Sequence, residues 1–326
     1  NSSLKSQMNY YVEEAEQSDG VLKELEPIRY QNVNVEDIKV IEPCSGSGHI
    51  LTYLFDLLFQ MYLEKGYSKK DIPALIFNNN LYGLDIDQRA TQLASFGLVM
   101  KARSIDNKFF DSDRYIRPKV YEIIDSKPIL YSNYNGKSYL DLLKDYNTSQ
   151  WKGDNPLTDE ELKAIKYIVD LFIDAKVIGS LLKVKPYKYI LIRKKLVENY
   201  KRHTLTDIFT SGFFDFEFKE LLEILRIAHV LSTKYDVLIT NPPYRSTSSL
   251  EMSPKIYFAN NYPHSSYDMY AMFMETDMVI KNGFSSLINM YSWMTLPTFS
   301  KLRLSLIKKQ LINLLHLGTR VFEEIS

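Results

Sequence analysis

The residues with the clearest chemical signature are Asn241-Pro242-Pro243-Tyr244, which directly follow a predicted strand at 236–240. Two consecutive prolines cannot pair within a sheet, so they predict a rigid, extended loop at the end of that strand. Such a loop holds the Asn241 amide oxygen and the Pro242 carbonyl as two acceptors for the hydrogens of an exocyclic amino group. Accepting both hydrogens draws the nitrogen lone pair toward an electrophile, and Tyr244 offers a face for ring stacking. The alternative is a polar turn that only ends the strand.

A second pattern, Glu42-Pro43-Cys44-Ser45-Gly46-Ser47-Gly48, lies between a predicted strand at 38–41 and a predicted helix at 49–65. Its glycines allow the backbone to pass close to a ligand, and the helix beyond offers free N–H groups. At the carboxyl edge of a parallel sheet this arrangement suits a nucleotide-like ligand. A dinucleotide fingerprint from Gly46 would need glycine where Leu51 stands, so NAD and FAD are disfavoured. The alternative is a small-residue turn without a ligand.

A third feature is the acidic end of the next predicted strand, Gly83-Leu84-Asp85-Ile86-Asp87. An acidic side chain at the tip of the second strand can hold a ribose diol through two hydrogen bonds. Carboxylates at strand ends also serve as helix N-caps, so Asp85 alone does not decide between the two roles. Combined with the preceding glycine turn, it predicts a nucleoside site.

These motifs need a framework that brings strand ends together, and the alternation of strand and helix patterns predicts a parallel α/β sheet with right-handed crossovers. Between residues 126 and 232 the alternation stops, which predicts a mainly helical insertion. The predicted strands are 38–41, 80–86, 120–124, 236–240, 284–290 and 312–317, and the predicted helices outside the insertion are 4–26, 49–65, 89–103, 268–281 and 298–309.

The composition is that of a globular protein: 326 residues, 45% hydrophobic and 25% charged. One cysteine excludes a disulfide framework and a multi-cysteine metal site, and the histidines show no metal-ligand spacing, so no metal is expected. No apolar run approaches the roughly 20 residues of a membrane span and no secretory signal is visible, so we expect a cytoplasmic protein. The chain begins without methionine and stops without a tail signal, which we interpret as a piece of a longer protein.

The 40 basic and 40 acidic side chains balance, which argues against strong non-specific nucleic-acid binding. This balance conceals an acidic opening stretch at 4–26, predicted to be a solvated helical arm, and a basic stretch at 183–202. The basic stretch has eight basic residues against Glu198 alone. It predicts either contacts with DNA phosphates or a solvated helical surface.

Taken in chain order, the glycine turn, the acidic strand end and the Asn-Pro-Pro-Tyr loop resemble the motifs of S-adenosylmethionine-dependent amino-methyltransferases of DNA. Further blocks are similar to the PglX-like adenine-specific methyltransferases of BREX phage-defence systems, which are related to fused restriction–modification enzymes. These blocks are Gly48-His49-Ile50-Leu51, Asn80-Leu81-Tyr82-Gly83-Leu84-Asp85-Ile86-Asp87 with Arg89-Ala90, Asp174-Ala175-Lys176 with Gly179-Ser180, and His316-Leu317-Gly318-Thr319-Arg320.

The resemblance implies a Rossmann-like methyltransferase sheet with a mainly helical insertion. We expect a helical arm and connector at 1–36, a cofactor-binding half at 37–125, the insertion at 126–232 and a truncated catalytic half at 233–326.

The resemblance also implies the cofactor, the substrate and the site residues. S-adenosylmethionine is expected to bind at Glu42, Pro43, Cys44, Ser45, Gly46, Gly48, Asp85, Ile86 and Asp125, with Glu122 as the alternative to Asp125. Asn241, Pro242, Pro243 and Tyr244 are expected to carry methyl transfer to N6 of an adenine flipped out of double-stranded DNA. Direct transfer needs no covalent intermediate, so Cys44 is expected to pack rather than attack.

The expected biological role is marking of host DNA in a phage-defence or restriction–modification system, with other defence subunits as possible partners. Two alternatives remain open. One is a non-catalytic subunit that keeps the fold. The other is a protein-glutamine N5 methyltransferase, which also uses Asn-Pro-Pro-Tyr; the large insertion argues against it.

Overall fold

The structure is a computed structural model that describes residues 2–7, 16–28, 33–111, 115–134, 136–149, 155–203, 211–309 and 311–318. The chain divides into two compact units. The first unit comprises Asn1–Thr240 and Met278–Ser286, and the second comprises Asn241–Asp277 and Leu287–Ser326.

The described strands are β1 (Val40–Glu42), β2 (Leu81–Asp85), β3 (Lys119–Glu122), β4 (Asn133–Tyr134), β5 (Lys137–Ser138), β6 (Tyr235–Thr240) and β7 (Val279–Leu287). The described α-helices are α1 (Ser2–Gln7), α2 (Asp19–Leu25), α3 (His49–Glu64), α4 (Ile72–Leu75), α5 (Gln88–Ile105), α6 (Lys127–Tyr131), α7 (Tyr139–Ser149), α8 (Asp159–Leu171), α9 (Ala175–Ile178), α10 (Tyr189–His203), α11 (Ser211–Ser232), α12 (Met252–Asn261), α13 (Met269–Glu275), α14 (Ser292–Thr295) and α15 (Ser300–Lys308).

Five strands form one sheet in the order β3-β2-β1-β6-β7. β1 runs parallel to β2, with Glu42 opposite Gly83, and also parallel to β6. β2 runs parallel to β3, with Asp85 opposite Glu122. The carboxyl ends of these four strands therefore lie at one edge, and the predicted Rossmann-like α/β fold is confirmed.

Helices α3 and α5, which follow β1 and β2, pack closely because the N-cap residue of α3 is a glycine, Gly48. Gly48 has φ 86°, and a Cβ placed on it would lie 2.6 Å from the Ala94 Cβ in α5. Most apolar side chains along one face of α3 are buried, namely Leu51, Leu54, Phe55, Leu58 and Tyr62, and Met61 is partly buried. The helix ends at Glu64, one residue before the predicted end, and Gly66 follows with φ 86°.

The described part of the insertion consists mainly of helices, α6 to α11, with one short antiparallel hairpin formed by β4 and β5.

The basic stretch at 183–202 includes most of α10, and some of its lysines form ion pairs with glutamates. Lys195 pairs with Glu161 at 2.9 Å, both side chains being 14% exposed, and Lys194 lies 3.9 Å from Glu198. The helical arm predicted at 4–26 contains α1 and α2, and residues 8–15 of it lie outside the described residues.

Two predictions for the last part of the chain are wrong. The helix predicted at 268–281 ends at Glu275, and β7 begins at Val279 rather than at residue 284. The edge of β6 supplies backbone partners to this segment, which overrides its helical periodicity. The strand predicted at 312–317 is irregular, and its residues are exposed, because no described strand edge pairs with them.

No helix among the described residues is both long enough and apolar enough to cross a membrane.

The close approach at Gly48 predicts opposite effects for two alanine substitutions at the contact between α3 and α5. Gly48→Ala should destabilise the protein by about 2–4 kcal/mol, because the new methyl group overlaps Ala94 and the backbone conformation disfavours a side chain. Gly97→Ala should stabilise by up to about 1 kcal/mol, since its Cβ would meet Thr52 at an ordinary 3.5 Å within a helix. Urea unfolding followed by circular dichroism measures both, and equal midpoints would contradict the argument.

Candidate active site

The turn between β1 and α3, residues 43–48, is tied to the end of β2 by backbone hydrogen bonds. The Ser45 N–H donates to the Leu84 carbonyl at 2.8 Å, and the Gly46 N–H donates to Asp85 Oδ2 at 2.8 Å. The other oxygen, Asp85 Oδ1, accepts the Asp87 N–H at 2.9 Å. Asp87 itself is the N-cap of α5. The carboxylate of Asp85 therefore joins the turn to the strand end instead of capping the helix.

Glu42 brings a carboxyl group into the base of this turn. Its side chain is 2% exposed, and the Leu51 N–H at the start of α3 donates a hydrogen bond to it. Burial raises the pKa of Glu42 to about 8, an effect that the Leu51 bond opposes and the charge of Asp85 reinforces. Glu42 Oε2 is buried and has no hydrogen-bond partner among the described residues. Such an oxygen is suited to a cationic donor from a ligand.

Other features of the β1–α3 turn fit S-adenosylmethionine, which combines an ammonium group, a ribose and an adenine ring. Ser45 Oγ is likewise buried without a partner among the described residues. Gly46 has φ 50°, and a Cβ placed on it would meet nothing within 4 Å, so a ligand can approach its backbone. Ile86, directly after Asp85, is 46% exposed and offers an apolar face.

Cys44 lies in the same turn, partly buried. Burial raises the pKa of its thiol to about 12, opposed in part by hydrogen bonds from neighbouring hydroxyls. A thiol with this pKa is almost entirely protonated at neutral pH and is a poor nucleophile. These properties agree with a packing role for Cys44.

The two acidic candidates after β3 have different partners. Asp125 Oδ1 accepts the backbone N–H of Lys176 at 2.8 Å, and Asp125 Oδ2 lies 3.9 Å from Lys127 Nζ. Glu122 Oε1 instead accepts the side-chain ammonium of Lys176 at 2.6 Å. Asp125 Oδ2 therefore has only the long ion pair with Lys127, at 3.9 Å, whereas Glu122 is paired with Lys176 at 2.6 Å.

In the second unit, the Asn-Pro-Pro-Tyr loop follows β6 directly along the chain. The Tyr244 hydroxyl lies 2.6 Å from Asn241 Oδ1 and 2.9 Å from the Ile288 carbonyl, so its single proton serves one of these acceptors at a time. Burial raises the pKa of Tyr244, which keeps the hydroxyl protonated. The Tyr244 ring is 40% exposed and lies 6.2 Å from the Tyr270 ring. The amide oxygen of Asn241 is thereby oriented and retains a second lone pair.

Comparison with known families identifies the chain. The family model of the Eco57I restriction-modification methylase matches residues 79–322. The chain belongs to this family. The matched residues of this Eco57I-family chain include Asp85, the whole insertion and the Asn-Pro-Pro-Tyr loop, whereas the β1–α3 turn precedes them.

Two relatives are more specific, and they confirm the resemblance to PglX-like methyltransferases. The adenine-specific methyltransferase BrxX of Escherichia coli O9:H4 (strain HS) is 34% identical over 334 residues, covering 100% of this chain and 27% of BrxX. The adenine-specific methyltransferase PglX of Lacticaseibacillus casei (strain Zhang) is 32% identical over 301 residues, covering 90% of this chain and 23% of PglX. The Eco57I-family chain thus spans about a quarter of the length of these curated relatives.

Sequence reasoning did not assign a site role to residues 174–182 of this Eco57I-family chain, although the structure places them against the predicted cofactor residues. The Ser180 hydroxyl donates to the Pro43 carbonyl at 2.6 Å and lies 3.9 Å from Cys44 Sγ. The available signal was the block Asp174-Ala175-Lys176 with Gly179-Ser180, which resembles the family although it lies inside the insertion. Asp268 is the N-cap residue of α13, but its side chain makes no capping hydrogen bond.

The raised pKa of Glu42 predicts a specific pH dependence of stability. Between its ordinary pKa of 4.5 and the folded value of about 8, the folded protein binds a proton that the unfolded chain has lost. The resulting stabilisation is fully present below 4.5 and is lost as the pH rises through about 8, at up to about 1.4 kcal/mol per pH unit. Glu42→Gln should remove this decline.

Urea unfolding checks this prediction when it is measured at several pH values from about 5 to about 9, which span the titration of Glu42. Glu24→Gln, which changes an exposed carboxylate on α2, serves as the control and should follow the wild-type curve. Parallel curves for wild type and Glu42→Gln would show that burial does not shift the Glu42 titration.

Proposed function

We propose that this Eco57I-family chain carries the cofactor-binding and catalytic parts of an adenine-specific DNA methyltransferase. The reaction transfers a methyl group from S-adenosylmethionine to N6 of adenine in double-stranded DNA, as host-DNA marking in a phage-defence or restriction–modification system. The observation that carries the proposal is the Asn-Pro-Pro-Tyr loop directly after the parallel strand β6, in a chain of a methylase family. The names of BrxX and PglX support adenine as the base that is methylated.

The β1–α3 turn and the strand ends would hold the cofactor, whose sulfonium centre supplies an electrophilic methyl group when it is bound. Glu42 Oε2 would pair with the ammonium group, which favours the ionised carboxylate and offsets the effect of burial on its pKa. Ser45 Oγ adds a polar contact, and Asp85 has lone pairs left for the ribose hydroxyls. Ile86 would cover the adenine ring, and Asp125 Oδ2, which has only the long ion pair with Lys127, would accept from its amino group.

The remaining residues of the β1–α3 turn determine its backbone conformation. Pro43 and Cys44 are held from outside by Ser180, Gly46 leaves room over its Cα, and Gly48 lets the start of α3 lie against α5. These residues act through backbone geometry rather than through reactive side chains.

The Asn-Pro-Pro-Tyr loop would receive the target base. The second lone pair of Asn241 Oδ1 and the Pro242 carbonyl would accept the two N6 hydrogens, and the exposed ring of Tyr244 would stack on the base. Pro243 keeps the loop extended. Because N6 cannot be reached inside a stacked duplex, the adenine must leave the helix. Exposed lysines of the basic stretch, such as Lys188 and Lys201, are available to DNA phosphates.

The first test replaces the amide acceptor. Asn241→Ala should lower methyl transfer by about 10²–10³-fold with cofactor binding unchanged, because a preorganised acceptor for the amino group is lost. Tyr244→Ala should also lose most activity, whereas Tyr244→Phe keeps the stacking ring and should stay within about tenfold of wild type. Incorporation of tritiated methyl groups into unmethylated DNA measures each rate.

Asn260→Ala, which changes an exposed asparagine at the end of α12, is the matched control and should leave the rate unchanged. Equal incorporation by wild type and Asn241→Ala would reject the assigned site. Cofactor and DNA binding by a wild-type protein that transfers no methyl groups would identify a non-catalytic subunit instead.

A second test distinguishes the two acidic candidates after β3. Asp125→Asn should weaken equilibrium binding of S-adenosylmethionine about tenfold, because an acceptor for the adenine amino group becomes an amide. Glu122→Gln should leave binding nearly unchanged, since Glu122 is paired with Lys176. Both substitutions preserve side-chain shape, and titration calorimetry compares them directly. A larger loss for Glu122→Gln would reverse the assignment.

A further inference from the structure

Residues 174–182 of the insertion, here termed the insertion segment, contact the loops after three strands of the sheet. Ser180 reaches the turn after β1, Gly179 lies against Ile86 after β2, and Lys176 reaches Asp125 after β3. These are the three loops in which the cofactor residues of the proposed function lie. The insertion segment therefore belongs spatially to the same site.

Ser180 makes the most specific of these contacts. Its side chain is 4% exposed, and its hydroxyl donates to the Pro43 carbonyl at 2.6 Å. Pro43 is buried, so its carbonyl needs a donor from within the protein. The turn is also bound to β2 through the N–H groups of Ser45 and Gly46. Ser180 thus adds a bond from the insertion to a turn that is already bound to the sheet.

The neighbouring residues explain how a serine of the insertion reaches the turn. Gly179 has φ 65°, a conformation that side chains disfavour, and it is the C-cap of α9 directly before Ser180. A Cβ on Gly179 would lie 3.5 Å from Ile86 Cγ2, so this part of the insertion lies against the Ile86 side chain. The insertion itself is anchored next to β3, where the buried Ser126 donates through its N–H to Phe172 and through its hydroxyl to Val169.

We propose that Ser180 is a positioning residue that holds the β1–α3 turn in its cofactor-binding conformation, which makes the helical insertion a structural part of the cofactor site. The cofactor role rests on the proposed function. Ser180 acts through Pro43 and Cys44 and does not need to touch the cofactor. Without its hydroxyl the Pro43 carbonyl loses its donor and the turn gains freedom, so binding must order the turn again.

The test combines two measurements on Ser180→Ala. Equilibrium binding of S-adenosylmethionine should weaken about five- to fiftyfold, as expected for the loss of one buried hydrogen bond. The rate at which a chromogenic disulfide reagent modifies Cys44 should rise several-fold. This signal has one source, because the chain has one cysteine, and in the wild type burial raises the pKa of its thiol to about 12. A general loss of stability would also weaken binding and expose the thiol, so both changes are compared with those of a variant that loses a buried hydroxyl elsewhere in the insertion.

Tyr189→Phe is the matched control. It also removes one buried hydroxyl that donates to a backbone carbonyl within the insertion, that of Lys185 at 2.8 Å, away from the β1–α3 turn. This variant should keep wild-type cofactor affinity and thiol reactivity. Ser180→Thr retains the hydroxyl and should bind the cofactor like the wild type, which decides the question if Ser180→Ala does not fold.

Unchanged affinity and unchanged thiol reactivity in a folded Ser180→Ala protein would overturn the inference, as would a folded Ser180→Thr protein that loses the cofactor. Failure of the wild type to bind S-adenosylmethionine is a different result. It would reject the proposed function and the cofactor role of Ser180 together, and the thiol rate would still show whether Ser180 holds the turn.

Discussion

The candidate cofactor site depends on the bonds that the carboxylate of Asp85 makes at the end of β2. One oxygen accepts the N–H of Gly46 and the other accepts the N–H of Asp87, so the carboxylate holds the turn of the neighbouring strand and its own loop in one arrangement. Its charge is also one cause of the raised pKa of the buried Glu42. Two acidic groups so placed favour a ligand that carries positive charge and hydroxyl donors, as S-adenosylmethionine does.

The insertion contributes to this site as well as to the helical part of the fold. Its backbone orients Asp125 through the N–H of Lys176, and its Ser180 binds the turn that is also bound to β2. A chain segment that interrupts the alternation of strands and helices thus supports the loops at the carboxyl ends of three strands. The Eco57I family match includes this segment.

The Asn-Pro-Pro-Tyr loop is organised by contacts of its own within the second unit. The Tyr244 hydroxyl lies within hydrogen-bond distance of both Asn241 and the Ile288 carbonyl, while its ring remains partly exposed. Tyr270, next to this ring, is packed against Phe299 and hydrogen-bonded to Ser292. Rigid prolines and a tyrosine that orients the amide give the loop a defined shape, as its proposed role in the reaction requires.

The sequence by itself determined the features that depend on interactions between residues close to one another along the chain. Alternating periodicity predicted β1, α3, β2, α5 and β6, since burial of one face of each element decides where it forms. The glycine turn, the acidic strand end and the Asn-Pro-Pro-Tyr loop were found because steric restriction and functional-group chemistry act within a few residues. The family resemblance rested on the same short blocks.

Only the tertiary structure decided what depends on distant partners. Ser180 and Pro43 are 137 residues apart, and no local pattern connects them. From the sequence, Lys195 is one of the basic residues that could contact DNA phosphates, whereas in the structure it forms an ion pair with Glu161. Residues 279–281 became strand because the edge of β6 supplied backbone partners, whereas residues 312–317 found none among the described strands. Hydrogen bonds and ion pairs across such separations form only when the chain is folded, so the tertiary structure alone could assign them.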